Sequence, residues 1–298
     1  MVFPTVQINN KENVMHKYLL VLFLFPSLCF SQTSLWHISK NGNDLYLGGT
    51  IHMLKKEDYP LPVEFSQAFK KSDTLVFETD IEKAKAPEFA QKMANMMSLP
   101  AGQSLKTALN KNTFDKLKTH LAERGIPIES LLSFKPSMVV LVISVIELKK
   151  MGMVDIGVDE YFHRQAKKAG KSIAYFESVD EQLSFLSAMG AGNENDMILN
   201  TLKDLSRMKT MMAAMKSAWL KGDENKLAEV SLTEMIRDYP DLYQTLLVKR
   251  NNNWMPHVEK MMRDKKVELV LVGALHLVGK DGLLQQLRDK GYRVTPFR

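Results

Sequence analysis

Two apolar segments near opposite ends of the chain lead into the same short pattern, a glycine followed by two residues and a histidine. The two pairs are Gly49 with His52 and Gly273 with His276. Each apolar segment predicts a buried strand. Glycine after a strand lets the backbone turn sharply or approach a ligand closely. The fold must therefore accommodate two similar strand-to-histidine units that are far apart in sequence.

A second pair of strands shares a different ending. Residues 75–77 and residues 174–176 are apolar, and each run continues into a glutamate and a hydroxyl residue, at Glu78 and at Glu177. In α/β sheets, ligands bind beyond the carboxyl ends of the strands. The two histidines and two glutamates are therefore expected at one end of a sheet, with the two histidine strands side by side or in facing sheets.

The rest of the pattern predicts an α/β or α+β fold, with a central sheet, an N-terminal hairpin and a large helical insert. Asn41-Gly42 between apolar runs is typical of a tight hairpin turn. Pro136 suits the first turn of a helix over 133–149 that is apolar on all sides, and we expect this helix to be buried. The other predicted helical regions are 83–150, 159–169, 180–260 with breaks near 191, 222 and 240, and 281–290, and the other strands are 172–176, 267–273 and 292–295.

The N-terminal region has the pattern of a targeting signal. Residues 18–30 are apolar but too short to span a bilayer, which takes about 20 apolar residues. We predict a secretory signal peptide over residues 1–31, with the true start at Met15 and cleavage near Ser31. An uncleaved membrane anchor is the alternative. The mature chain, 32–298, is predicted to be a single domain that is secreted or periplasmic.

Composition narrows the classes of partner and site. Cys29 is the only cysteine, so a chain cleaved after it forms no disulfide and no cysteine zinc site. The formal net charge of +6 is scattered and forms no basic stripe, so nucleic acid is not an expected partner. No second apolar stretch is long enough to cross a membrane, so we expect no stable membrane insertion after signal cleavage.

The four converging side chains predict a metal site. Imidazole and carboxylate together suit divalent manganese, cobalt or zinc. His52 and His276 are the candidate ligands, helped by Glu78 or Glu177, and the other glutamate is a candidate general base. Crowding two carboxylates should raise the pKa of one of them unless a metal or Arg250 compensates. Either glycine–histidine pattern alone is weak evidence, because glycine ends many strands.

The combination of motifs resembles the TraB/GumN family over nearly the whole mature chain. Phe176-Glu177-Ser178 stands where the family usually has Leu-Glu-Thr, a change that keeps the carboxylate. The Tiki metalloproteases are similar around both Gly-x-x-His motifs. The matching elements are Leu35-Trp36, Gly49-Thr50-Ile51-His52, Gly157-Val158-Asp159, Gly170-Lys171, Phe176-Glu177-Ser178 with Gln182, Arg250-Asn251 with Trp254, Gly273-Ala274-Leu275-His276-Leu277, Gly282-Leu283-Leu284 and Gly291-Tyr292.

The resemblance implies an exported metal-dependent hydrolase, peptidase-like, acting on a peptide or protein substrate. In this hypothesis Arg250 pairs with a site carboxylate or stabilises charge on the carbonyl, and the alternative is that it holds a loop in place. The alternative is a non-catalytic protein that sequesters a peptide or a haem or metal complex, and histidines facing separate pockets would favour it. Asp159 is either a helix cap or a substrate contact. His276 is expected on a turn outside the core.

Overall fold

A computed structural model describes residues 33–298. The predicted signal peptide over 1–31, its cleavage site and Cys29 lie outside the described residues. The strands are β1 Leu35–Lys40, β2 Asn43–Thr50, β3 Met53–Leu54, β4 Thr74–Phe77, β5 Asp155–Ile156, β6 Ser172–Tyr175, β7 Glu268–Gly273 and β8 Arg293–Pro296.

Helices fill most of the chain between β4 and β7. They are α1 Val63–Lys71, α2 Ile81–Lys85, α3 Pro87–Met96, α4 Leu105–Ala108, α5 Lys111–Ala122, α6 Pro136–Lys150, α7 Val158–Lys168, α8 Val179–Ala188, α9 Glu194–Leu205, α10 Met208–Leu220, α11 Glu224–Asp238, α12 Pro240–Tyr243, α13 Lys249–Met261 and α14 Leu283–Asp289. Short 3-10 turns cover 56–58, 128–131 and 274–276, and a π-helical turn joins α12 to α13. The predicted helical breaks near 191, 222 and 240 all occur.

One sheet organises the fold, with strand order β6-β4-β7-β2-β1-β8. Strands β6, β4, β7 and β2 are mutually parallel, whereas β1 is antiparallel to both of its neighbours. The hairpin of β1 and β2 turns at Asn41 and Gly42, whose φ angles of 54° and 78° match the mirror-image turns that suit twisted strands. The predicted α/β fold with an N-terminal hairpin and a helical insert is confirmed.

The two histidine strands are direct neighbours. Strand β2 pairs in parallel with β7, and Thr50 lies opposite Gly273. On the other side of β7, β4 and then β6 continue the parallel sheet, with Phe77 opposite both Leu271 and Tyr175. The carboxyl ends of all four strands therefore meet at one edge of the sheet, as the sequence predicts.

The main hydrophobic core lies on this sheet, and a second, smaller core lies among the helices. Trp36, Phe65 and Trp219 are among the large buried side chains of the main core. The smaller core is built by α4, α5, α6 and α9, and it includes Leu117 and Ile198. Within residues 33–298, no helix is both long and apolar enough to cross a membrane.

Helix α6 differs from its prediction. Pro136 does occupy the first turn, but the helix is not buried on all sides. Val139 and Ile143 are fully buried in the smaller core, whereas Val145 is 38% exposed. Helix α6 therefore packs mainly along one face, although its sequence is apolar on all sides. A helix without a polar face does not show in its sequence which side will be exposed.

Candidate functional site

The predicted site residues surround Gly273, the last residue of β7. Its N–H donates a hydrogen bond of 2.6 Å to Glu78 Oε1. A Cβ atom placed on Gly273 would lie 3.1 Å from Glu78 Oε1, 3.6 Å from His276 Cδ2 and 3.7 Å from His52 Nε2. The structure thus brings both predicted histidines and one predicted glutamate to a single place. We call His52, Glu78, Gly273 and His276 the Gly273 rim.

The two motif glycines serve close approach and not a sharp turn. Gly273 has φ −50° and ψ 133°, which any residue can adopt, and Gly49 lies inside β2. A Cβ on Gly49 would lie 3.1 Å from the Cα atom of Ala274. The sequence predicts a sharp turn or a close approach to a ligand, and the close approach that the structure shows is to other groups of the protein.

The imidazole of His276 is buried, with 4% of the residue exposed. It follows β7 in the short turn Ala274–His276, and its ring centroid lies 4.4 Å from that of Trp254 in α13. The expectation that His276 lies on a turn outside the core is wrong on the second point, because α13 packs over the turn and encloses the ring.

Asn251 sets the orientation of His276. Its side-chain amide donates hydrogen bonds to the backbone oxygens of His276, at 3.1 Å, and Asp281, at 2.9 Å. Its Oδ1 atom therefore faces His276 Nδ1, 2.7 Å away, and can only accept. Nδ1 then carries the proton, and Nε2 is left as an acceptor, which receives a hydrogen bond of 3.0 Å from Arg250 Nη1. Burial lowers the pKa of His276 to about 3, so the ring is neutral at pH 7.

Arg250, in the first turn of α13, joins the two predicted glutamates. Its Nη2 donates to Glu78 Oε2 at 2.6 Å and also to Glu177 Oε1. Its Nε donates to Glu177 Oε2 at 3.1 Å. Arg250 is 7% exposed and its guanidinium lies 4.7 Å above the ring of Trp254. One buried cation thus holds two buried carboxylates at the same edge of the sheet.

The two glutamates have opposite pKa shifts. Burial raises the pKa of Glu177, and the hydrogen bonds and charge of Arg250 only partly oppose it. Burial would also raise the pKa of Glu78, but His276, Arg250, His52 and the Gly273 N–H together lower it to about 2. His276 is neutral at pH 7, so the cations that hold Glu78 ionised there are Arg250 and His52, whose pKa the Asp159 carboxylate raises to about 9. One carboxyl pKa is therefore raised, as crowding predicts, although burial is the larger cause.

His52 is held differently from His276. Its side chain is 62% exposed, and its Nδ1 lies 3.2 Å from Asp159 Oδ2 in the first turn of α7. The Asp159 carboxylate raises the pKa of His52, against a smaller opposing effect of burial. The backbone is fixed as well, because Val158 N donates to Ile51 O at 3.1 Å. A Cβ on Gly157 would lie 2.3 Å from Ile51 O, so only glycine fits there.

Two contributors were not identified from the sequence. In the sequence, Asn251 appears only within the resemblance to the family, and Asp159 is either a helix cap or a substrate contact. Neither residue follows a strand that the sequence predicts, and neither repeats a motif, so the argument from strand ends does not find them. Both come from helices that the fold packs against the histidine turns.

The family follows from comparison with known proteins, since the model of the TraB/PrgY/gumN family matches residues 34–296. The chain belongs to the TraB/PrgY/gumN family. Among curated TraB/PrgY/gumN-like relatives, the uncharacterized protein YbaP of Escherichia coli K12 is 27% identical over 82% of this chain and 87% of its own length. YbaP of Shigella flexneri matches equally well.

More distant similarity links this TraB/PrgY/gumN member to two zebrafish (Danio rerio) proteins. Metalloprotease TIKI2 is 24% identical over 84% of this chain and 57% of its own length. Metalloprotease TIKI1 is 24% identical over 90% of this chain and 65% of its own length. The chain thus corresponds to well under the full length of either metalloprotease. No solved structure matches the chain.

The rim residues fit a divalent metal in the type of donor they offer. Histidines that bind metal usually give their second ring nitrogen to an oxygen acceptor, as His52 does with Asp159 and His276 with Asn251. Both Nε2 atoms are thereby left for a ligand. Across 33–298, however, no three histidine or acidic side chains are already grouped to hold an ion. Arg250 donates hydrogen bonds to Glu78 and to His276 Nε2, so two of the candidate ligand groups are already engaged.

Proposed function

We propose that this chain is an exported metal-dependent hydrolase of the peptidase kind, acting on a peptide or protein. The observation that carries the proposal is the meeting of His52 Nε2, His276 and Glu78 Oε1 around Gly273. The similarity to two proteins named metalloproteases supports the reaction class. Export rests on the predicted signal peptide.

His52, His276 and Glu78 are the proposed ligands, of manganese, cobalt or zinc. Glu78 is preferred over Glu177 because its Oε1 lies 4.0 Å from His276 Nε2 and accepts the hydrogen bond of Gly273 N–H. A bound divalent metal supplies two effects: it polarises a carbonyl and lowers the pKa of a bound water to around 7. Arg250 must release His276 Nε2 for that nitrogen to serve as a ligand.

Glu177 and Arg250 are the proposed catalytic partners. Burial raises the pKa of Glu177, and a carboxyl with a raised pKa is better suited to take up and return a proton near neutral pH. Arg250 lies against both glutamates and carries a permanent charge, so it can stabilise negative charge that develops on a carbonyl oxygen. Its burial keeps water from screening that charge.

Metal analysis joined to a cleavage assay tests the proposal. Purified mature protein is analysed for bound metal and incubated with a peptide library, with and without added manganese, cobalt or zinc. We expect metal-stimulated cleavage and a higher melting temperature with metal, because a ligand that binds only the folded state stabilises it. His52→Ala should lose both effects. His37→Ala is the matched control, since His37 is also partly exposed and paired with an aspartate, Asp44 at 2.7 Å.

Three results would contradict the proposed hydrolase activity at this site. Protein that neither contains metal nor responds to it in either assay contradicts the whole proposal. Metal binding that depends on His52 and His276, without cleavage of any peptide, would instead support the alternative of a non-catalytic binding protein. Cleavage that persists unchanged in His52→Ala and His276→Ala would place the activity elsewhere.

A further inference from the structure

Asp159 is a partly buried acid whose surroundings do not explain it as a stabilising group. Only 19% of its side chain is exposed. Its Oδ1 atom is buried and has no hydrogen-bond partner among the described residues. Leaving a buried carboxylate oxygen without a partner costs free energy. The other oxygen, Oδ2, is the one that faces His52 Nδ1, 3.2 Å away.

The backbone around Asp159 is built against the His52 turn. Gly157 approaches so closely that a Cβ there would lie 2.5 Å from His52 Cα. Val158 N donates to Ile51 O at 3.1 Å. The start of α7 and the histidine turn are therefore in direct backbone contact, which fixes where the Asp159 carboxylate meets the imidazole.

A helix-capping role for Asp159 does not account for this arrangement. The N-cap of α7 is Gly157, and no side chain caps that end of the helix. Helix α8 offers a direct comparison, because it also begins with Val and Asp, at Val179 and Asp180. There Ser178 forms the cap, and Asp180 is 56% exposed and pairs with Lys92. The same position in a helix is thus solvent-exposed in α8 and directed at a histidine in α7.

We propose that Asp159 is a positioning residue, whose carboxylate holds His52 Nδ1 so that Nε2 stays at the Gly273 rim. The inference deepens the proposed function and rests on it for the metal, but the orientation of His52 can be tested without any metal. An acceptor on Nδ1 fixes which ring nitrogen is left free and removes rotation of the ring. Asn251 does the same for His276 with a neutral amide.

Three variants separate positioning from helix stability. Asp159→Ala removes the acceptor, Asp159→Asn keeps an oxygen in the same place, and Asp180→Ala removes the equivalent first-turn charge of α8. Crystal structures of the metal-free proteins show the orientation of the His52 ring, and calorimetric titration with Zn²⁺ measures the affinity for the ion. We expect Asp159→Ala to free the ring and weaken Zn²⁺ binding by about 10- to 100-fold, the usual effect of losing such a partner. Asp159→Asn should restore most of the affinity, and Asp180→Ala should change neither measurement.

The outcomes distinguish this inference from the proposed function. If wild-type protein binds no Zn²⁺, the metal-dependent function fails, and the ring orientation in metal-free Asp159→Ala still decides the role of Asp159. If that ring keeps its place at the rim, or if Zn²⁺ affinity is unchanged while wild-type protein binds the ion, the positioning role is wrong. Equal losses in Asp159→Ala and Asp180→Ala would show an effect on helices and also overturn it.

Discussion

The two Gly-x-x-His turns end neighbouring parallel strands, yet their histidines lie in contrasting surroundings. His276 is buried under Trp254, and the neutral amide of Asn251 holds its Nδ1. The His52 side chain is 62% exposed, and a charged carboxylate, Asp159, faces its Nδ1. Burial lowers the pKa of one ring, whereas the nearby acid raises the pKa of the other.

The difference shows that the strand determines the position of each histidine. The helix packed on the turn determines how exposed the ring is, which group faces its Nδ1 atom and in which direction its pKa shifts. Helix α13 closes over the β7 turn and supplies Trp254, Asn251 and Arg250. Helix α7 meets the β2 turn only at its first residues, which leaves the His52 ring open to solvent. In the proposed function, a substrate or ion would therefore approach from the β2 side, because the β7 side is closed by α13.

The largest effect on the free energy of unfolding should come from removing Arg250, the buried cation on the β7 side. Arg250→Ala leaves Glu78 and Glu177 buried without their shared partner, and breaking a buried ion pair in this way typically costs about 3–5 kcal/mol. Chemical denaturation measures the loss. Arg288→Ala is the control, because Arg288 pairs with Glu224 near the surface, where such pairs contribute about 0–1 kcal/mol. Similar losses of stability in Arg250→Ala and Arg288→Ala would contradict the view that the buried pairs of Arg250 contribute more than a surface pair.

Much of this arrangement could be predicted from the sequence, since it depends on local patterns. The apolar runs on either side of Asn41-Gly42 predict the hairpin, and the repeated strand endings predict that His52, His276, Glu78 and Glu177 lie at one edge of the sheet. These predictions need only the rule that parallel strands end together.

The rest depends on contacts between segments distant in sequence. No local pattern shows that α13 covers His276, which is why its burial was not anticipated. The carboxylate of Asp159 meets His52 only because Gly157 allows two backbones to touch. The exposed side of α6 was missed for the same reason, because an apolar helix does not show which face its neighbours will cover.

A smaller effect should appear as a change in how stability depends on pH. The pKa of Glu78 falls from the ordinary 4.5 to about 2 in the folded protein, so its contribution is complete above pH 4.5 and is lost as pH falls towards 2. Glu177 has a raised pKa, so its contribution is complete below pH 4.5 and is lost as pH rises through the folded value. Protonating either acid still leaves Arg250 one partner, which is why the effect is smaller.

Denaturation of two variants between pH 2 and 7 checks these signs. Relative to wild type, Glu78→Gln should flatten the fall in stability below pH 4.5. Glu177→Gln should flatten the change above pH 4.5. If the two variants exchanged these effects, the assignment of the raised and lowered pKa values would be wrong.

Replacing each histidine by alanine tests the contrast between the turns directly. His276→Ala removes a ring packed against Trp254 and leaves Asn251 Oδ1 without its buried partner, which should cost about 1–3 kcal/mol. His52→Ala removes an exposed ring and opens Asp159 to water, so its stability should stay within about 0.5 kcal/mol of wild type. Thermal or chemical denaturation of the metal-free proteins compares them. Equal costs would mean that the two turns are equally buried in solution.

The smallest effect on stability should come from Gly273→Ala, which adds one methyl group at the centre of the rim. The backbone angles of Gly273 suit alanine, and replacing glycine at such a site stabilises by about 0.4–1 kcal/mol through the unfolded chain. The added methyl lies 3.1 Å from Glu78 Oε1, which Gly273 N–H and Arg250 hold in place, and the small shift that it forces offsets that gain. We therefore expect a net change near zero in chemical denaturation, together with clearly weaker Zn²⁺ binding, because the methyl occupies space between His52 and His276.

Gly157→Ala should behave differently and lower stability, since its methyl meets the Ile51 backbone at 2.3 Å. A Gly273→Ala protein that binds Zn²⁺ as tightly as wild type would show that an ion does not sit at this rim.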